Sequence, residues 1–144
     1  MTGRWLAAAL VALAGLGAGT VQAEDFPRES YAEAQNGVAA PFVGHWMLRY
    51  PEPEGTIVSA ILVDCDDPVV IEAVDDTTIA YRSPAMDAPV QFALSAFAGR
   101  TSWFPEAGNS SIAVWLTPDR FHIYRTDIGK AVWDDPRLME RCEA

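Results

Sequence analysis

The stretch SSIAVWLTPDRFHIYRT, residues 110–126, decides the fold. In its first half Ile112, Val114 and Leu116 alternate with Ser111, Ala113, Trp115 and Thr117. Successive side chains of a strand point to opposite faces, so a period of two predicts a β-strand; a helix would repeat its apolar residues every three or four positions. Pro118-Asp119 then interrupts the run. Proline cannot donate to a ladder and aspartate bonds its own backbone, so the pair marks a turn. The second half resumes the alternation, with Phe121, Ile123 and Arg125 on one face and Arg120, His122 and Tyr124 on the other. Two such runs across a tight turn make an antiparallel hairpin.

The same texture extends in both directions. Upstream lie VGHWMLRY (43–50), TIVSAILV (56–63), VVIEAV (69–74), TTIAYR (77–82), VQFALSAF (90–97) and RTSWF (100–104), and downstream KAVW (130–133). Between them stand turn formers: PEPEG, Asp75-Asp76, SPAMDAP, a glycine turn, PEAGN and DIG. That makes eight or nine short strands, and the connections are too brief for parallel crossovers, which need a dozen or more residues. The expected fold is therefore all-β, an antiparallel meander. Closure into a barrel, complete or nearly so, removes the exposed edges that such a meander would otherwise leave. In the tail DDPRLMERCEA, Asp134 or Asp135 is a natural helix cap and Pro136 suits the first helical position, which predicts a short C-terminal helix.

Residues 1–23, MTGRWLAAALVALAGLGAGTVQA, read as a cleavable signal peptide. Arg4 is their single charge, the apolar run from Trp5 to Ala18 is glycine-broken and short of the roughly 20 residues a spanning helix needs, and Val21-Gln22-Ala23 has the small-x-small form of a cleavage site. The remainder, from Glu24, carries nine basic residues against twenty acidic ones. So acidic a surface repels phosphate backbones and anionic lipid, which argues against nucleic acid as a partner, and no membrane span is expected once the signal is removed. Residues 24–41 hold two prolines and Gly37 and read as an extended or partly helical leader, with the single β domain spanning 42–144. The implied compartment is periplasmic or extracellular.

That compartment bears on the two cysteines. In an oxidising space a lone pair most often forms a disulfide, so Cys65 and Cys142 are expected to be bridged, closing a loop of 78 residues. Cys65 sits in VDCDDPVV (63–70), where Asp64, Asp66 and Asp67 surround it. Their spacing lacks the order and the glycine of a calcium loop, and Asp67-Pro68 suits a bend. A metal-dependent module or enzyme would need Asp64, Asp66, Asp67 and Glu72 to converge.

Catalysis has little purchase elsewhere. His45 and His122 both fall inside expected strands, and no serine stands in a nucleophile-elbow setting. The reading is thus of a non-catalytic protein without a cofactor. The aromatic set is more informative: Trp46, Trp103, Trp115 and Trp133 each lie on a different expected strand. Large aromatics build cores and also wall ligand pockets, so Trp46, Trp103, Trp115 and Tyr124 are the candidate ligand contacts.

Gly44-x-Trp46 at the head of the first expected strand resembles the G-x-W signature of the calycins, the lipocalins, avidins and bacterial metalloprotease inhibitors among them. The placement of Cys65 in an early strand and Cys142 near the end is similar to the layout of some lipocalins. The resemblance implies an eight-stranded barrel, with a late basic residue (Arg125, Arg137 or Arg141) packed across Trp46. Its implied function is a secreted binding or interaction module for a small apolar ligand or a protein partner. An inhibitor of periplasmic proteases would use residues 24–41 as a free arm, and an accessory subunit of a periplasmic complex is a further reading.

Overall fold

The computed structural model describes residues 26–51 and 61–143. Residues 1–23, expected as a signal segment, and positions 56–60 of the second expected strand lie outside them. Among the described residues a single 3₁₀ turn, Ala40–Phe42, leads into ten strands: β1 Gly44–Arg49, β2 Ile61–Val63, β3 Val69–Asp75, β4 Thr78–Arg82, β5 Val90–Phe97, β6 Arg100–Pro105, β7 Ser111–Thr117, β8 Arg120–Asp127, β9 Lys130–Ala131 and β10 Arg137–Arg141. Every pairing is antiparallel. The order β1-β3-β4-β5-β6-β7-β8-β10 closes on itself through β10, which pairs with β8 on one side and β1 on the other. The result is a closed eight-stranded barrel, with β2 added to β1 and β9 to β8.

The tail corrects one expectation. The predicted C-terminal helix is strand β10. Asp134, Asp135 and Pro136 do form a break, but local capping preference is weaker than the open ladders of β1 and β8, which offer hydrogen bonds on both sides. Met139 faces inward and Leu138 outward, and both are buried. A helix could satisfy neither edge strand, so closure overrides propensity.

Inside and outside follow from the period of two. Ala113, Trp115, Phe121 and Ile123 face the interior with Trp46, Ile71, Ile79 and Trp103, while Val114, His122 and Tyr124 lie on the outer wall. One end of the barrel, where the β3–β4, β5–β6 and β7–β8 turns gather, is sealed by residues 26–42. This leader passes over the outer wall, where the Tyr124 hydroxyl donates to Pro27 O at 2.6 Å. It then bridges the place where β6 and β7 part beyond Thr101 and Ala113: Ser30 N donates to Gly99 O and Tyr31 N to Trp115 O. Gly37 follows at φ +80°, its N–H on Thr101 Oγ1, and a Cβ there would lie 2.8 Å from the backbone nitrogen of Ala96. Finally Phe42 enters the barrel, fully buried. Residues 29–35, ESYAEAQ, the part of the leader expected to allow a turn or two of helix, form bends and turns instead.

Phe42 organises the sealed end. Its ring lies 4.7 Å from Trp115, 5.2 Å from Phe121 and 5.3 Å from Trp103, and its carbonyl accepts the Trp46 indole N–H at 2.8 Å. Such aromatic pairs add about 0.5–1.5 kcal/mol each beyond area burial. Of the three basic residues proposed to cover Trp46, the structure selects Arg141, whose guanidinium carbon sits 4.3 Å from the indole centroid. The same guanidinium donates to Val43 O, Pro41 O and Asp119 Oδ1, tying the leader, β10 and the β7–β8 turn together. Gly44 follows from this arrangement: at φ +146°, a Cβ would come within 2.6 Å of the Arg141 guanidinium.

The Cys65–Cys142 disulfide is formed, with Cα atoms 5.7 Å apart. Cys65 lies in the break between β2 and β3, and Cys142 follows β10 with its N–H on His45 O at 2.8 Å. The bridge pins the last barrel strand where it closes against the first. Beside it Asp64 Oδ1 accepts the N–H groups of Asp66 and Asp67, an Asx turn that explains this aspartate as turn chemistry.

Candidate functional site

The barrel is filled unevenly. Its sealed end is filled by Phe42, Trp46, Trp115 and Phe121, with a concavity of about 380 Å³ against Trp115, Pro41 and Arg141, whereas the opposite half retains a cavity of about 190 Å³ lined by Tyr81, Phe92, Trp103, Ser111, Ile123 and Met139. Each lining residue comes from a different strand, β4 to β8 and β10, and each sits on the inward register of its ladder. Ser111 shares the inward face with Ala113 and Trp115, and Ile123 shares it with Phe121. Cross-strand neighbours then bring the rings into contact: Tyr81 lies 6.1 Å from Phe92, Phe92 lies 5.3 Å from Trp103, and Tyr81 lies 6.0 Å from Trp103.

The cavity wall is mainly apolar, with two hydroxyls, Ser111 and Tyr81. Burial pushes the Tyr81 phenol up to about 12, so it stays neutral at any physiological pH. Among the described residues no charged side chain lines the space. Chemically it is suited to hold an uncharged molecule by dispersion and exclusion of water, with at most one or two hydrogen bonds. Trp103 forms its floor and touches Phe42 from above, which couples cavity to plug.

The four aromatic residues expected to contact a ligand do not converge. Trp103 lines the cavity. Trp46 and Trp115 lie beneath it in the sealed end, where Phe42 separates them from the open half. Tyr124 is on the outer wall, edge-to-face with Trp133 at 4.8 Å and hydrogen-bonded to Pro27 O. The residues that sequence reasoning passed over are Tyr81, Phe92, Ser111, Ile123 and Met139. Alternation placed Ser111 and Ile123 on definite faces, but it carries no information on depth along the barrel axis, and depth is what separates cavity wall from core.

Other sequence-stated sites resolve differently. Among the described residues no group of three or more His, Cys, Asp or Glu is placed to hold a metal ion, so Asp64, Asp66, Asp67 and Glu72 do not gather into one. Residues 26–41, the arm an inhibitor would need, are hydrogen-bonded to the barrel at Pro27, Arg28, Ser30, Tyr31, Gly37 and Ala39. No helix among the described residues is long and apolar enough to cross a membrane. Fold and cavity together define the class: a closed antiparallel barrel, plugged at one end and hollow at the other. Comparison with protein-family models, with curated proteins and with solved structures finds no match to the chain in any of the three.

Proposed function

We propose that the protein is a secreted, calycin-like binding module that holds one small, uncharged, largely apolar molecule in the open half of its barrel. The observation that carries this reading is the cavity itself: a small barrel normally fills its interior with side chains, and this one leaves about 190 Å³ lined by six inward residues. An apolar protein cavity of about 150 Å³ takes up benzene, so the space fits a single ring with a small substituent. The Gly44-x-Trp46 start of β1 and the Arg141 guanidinium over Trp46 support the calycin-like assignment. Secretion is supported by the N-terminal sequence pattern and by the Cys65–Cys142 disulfide.

The test is calorimetric titration with p-cresol, whose ring fits the volume and whose hydroxyl suits Ser111. A ligand of this size reaches about 0.1–1 mM at ordinary efficiency per atom. Saturable one-to-one binding that is lost in folded Ile123→Trp, which fills the cavity, supports the reading. Absence of saturable binding, or equal binding by Ile123→Trp, refutes it.

A further inference from the structure

A second concavity lies outside the barrel, on the wall formed by β7, β8 and β10. It measures about 390 Å³ and is walled by Phe26 and Pro27 of the leader and by Pro51, with Leu116 and Leu138 on its apolar side and Arg49, Arg120 and His122 as polar groups. It shares no lining residue with the barrel cavity. His122 is 95% buried, since its relative exposure is 5%. Nδ1 of its ring is taken by the Tyr124 hydroxyl at 3.5 Å. That hydroxyl already donates to Pro27 O at 2.6 Å, so the Nδ1 contact is satisfied in the tautomer that carries its proton on Nδ1. In that tautomer Nε2 is an acceptor with no partner among the described residues. Unlike the sealed indole nitrogens of Trp103 and Trp115, it is not closed off from solvent. Imidazole in such a place is a group prepared for a donor that the protein does not supply.

Arg120 provides the second half of the site. Its side chain is 45% exposed and stands 3.7 Å from Glu140, which Arg49 already engages more closely. The guanidinium therefore keeps donors available toward the concavity. Burial and Arg120 together push the His122 ring down to about 4, so the ring is neutral at physiological pH and keeps its acceptor role. Guanidinium, neutral acceptor and apolar wall form three features of one ligand: a carboxylate, a nearby hydroxyl or N–H, and a hydrocarbon body.

We propose that this outer concavity is a second binding site, for a small hydroxy acid with an aromatic or branched apolar body. Its carboxylate is held by Arg120, its hydroxyl donates to His122 Nε2, and its body lies against Phe26, Pro27, Leu116 and Leu138. The site is independent of the barrel cavity, and its test separates the two. The probe is mandelate, titrated into the protein by calorimetry alongside phenylacetate, which lacks the hydroxyl, and benzyl alcohol, which lacks the carboxylate. Mandelate is expected to bind saturably, phenylacetate about fivefold more weakly for the loss of one hydrogen bond, and benzyl alcohol at least tenfold more weakly for the loss of a charged one. Arg120→Gln, at an exposed position, should weaken mandelate at least tenfold without lowering the melting temperature. His122→Phe, which keeps an aromatic ring in the wall, should remove the preference for mandelate over phenylacetate. Saturating p-cresol should leave mandelate affinity unchanged. The proposal is overturned if mandelate does not saturate, if Arg120→Gln binds it as well as the parent, or if p-cresol displaces it.

Discussion

Truncating Phe42 to alanine should cost about 4 kcal/mol of unfolding free energy. The side chain is fully buried, so its removal forfeits about 1.5–3 kcal/mol of transfer free energy. Three ring contacts, with Trp103, Trp115 and Phe121, are lost as well, and the hole cannot collapse because two ladders and a disulfide hold the surrounding strands. Measured losses for such changes run to about 3–5 kcal/mol. For a chain of this length the melting temperature should drop by about 15 °C. Phe42→Leu retains most of the volume and loses the ring contacts, so it should cost about 1.5 kcal/mol. The assay is urea unfolding followed by tryptophan fluorescence, with the slope required to stay constant so that the midpoint reports stability alone. A loss below 1 kcal/mol for Phe42→Ala, or equal losses for the two variants, would show that Phe42 is not the plug of the sealed end.

Arg141→Met removes the guanidinium over Trp46 and its bonds to Val43 O and Pro41 O, and should cost about 2–3 kcal/mol by the same assay; a change under 0.5 kcal/mol contradicts that role. Unreduced, denatured protein should titrate with no free thiol, and reduction should lower stability by about 4–5 kcal/mol for a loop closed across 77 positions of sequence. His122 supplies a pH signature. Its folded value lies near 4, below the ordinary 6.5, so the unfolded chain binds the extra proton between those limits. Its contribution is complete above pH 6.5 and falls on acidification, by about 3 kcal/mol at pH 4. His122→Phe should flatten that part of the profile, and an unchanged profile would place the ring elsewhere.

Much of the architecture was legible because period two is a local signal. Strand β5 coincides with the run 90–97, and the hairpin of residues 111–127 is where Pro118-Asp119 and its flanking alternation put it. The disulfide followed from the expected compartment and the cysteine count. What escaped was whatever depends on closure. Arg137–Arg141 carries helix-start signals and becomes a strand because two open ladders meet there. Residues 24–41 read as a polar surface leader, yet Ala39 within them is part of the core, as is Phe42, which follows directly. Trp103 was identifiable as a candidate contact, but its separation from Trp46 and Trp115 depends on where Phe42 enters the barrel, and nothing local to any tryptophan encodes that.

The barrel cavity can be seen directly by crystallography under xenon pressure, since xenon occupies dry apolar cavities of this size without needing a cognate ligand. The cavity reading predicts one strong xenon peak inside the barrel, in van der Waals contact with Phe92, Trp103, Ile123 and Met139. A barrel with no xenon there, its side chains closed across the space, would contradict it.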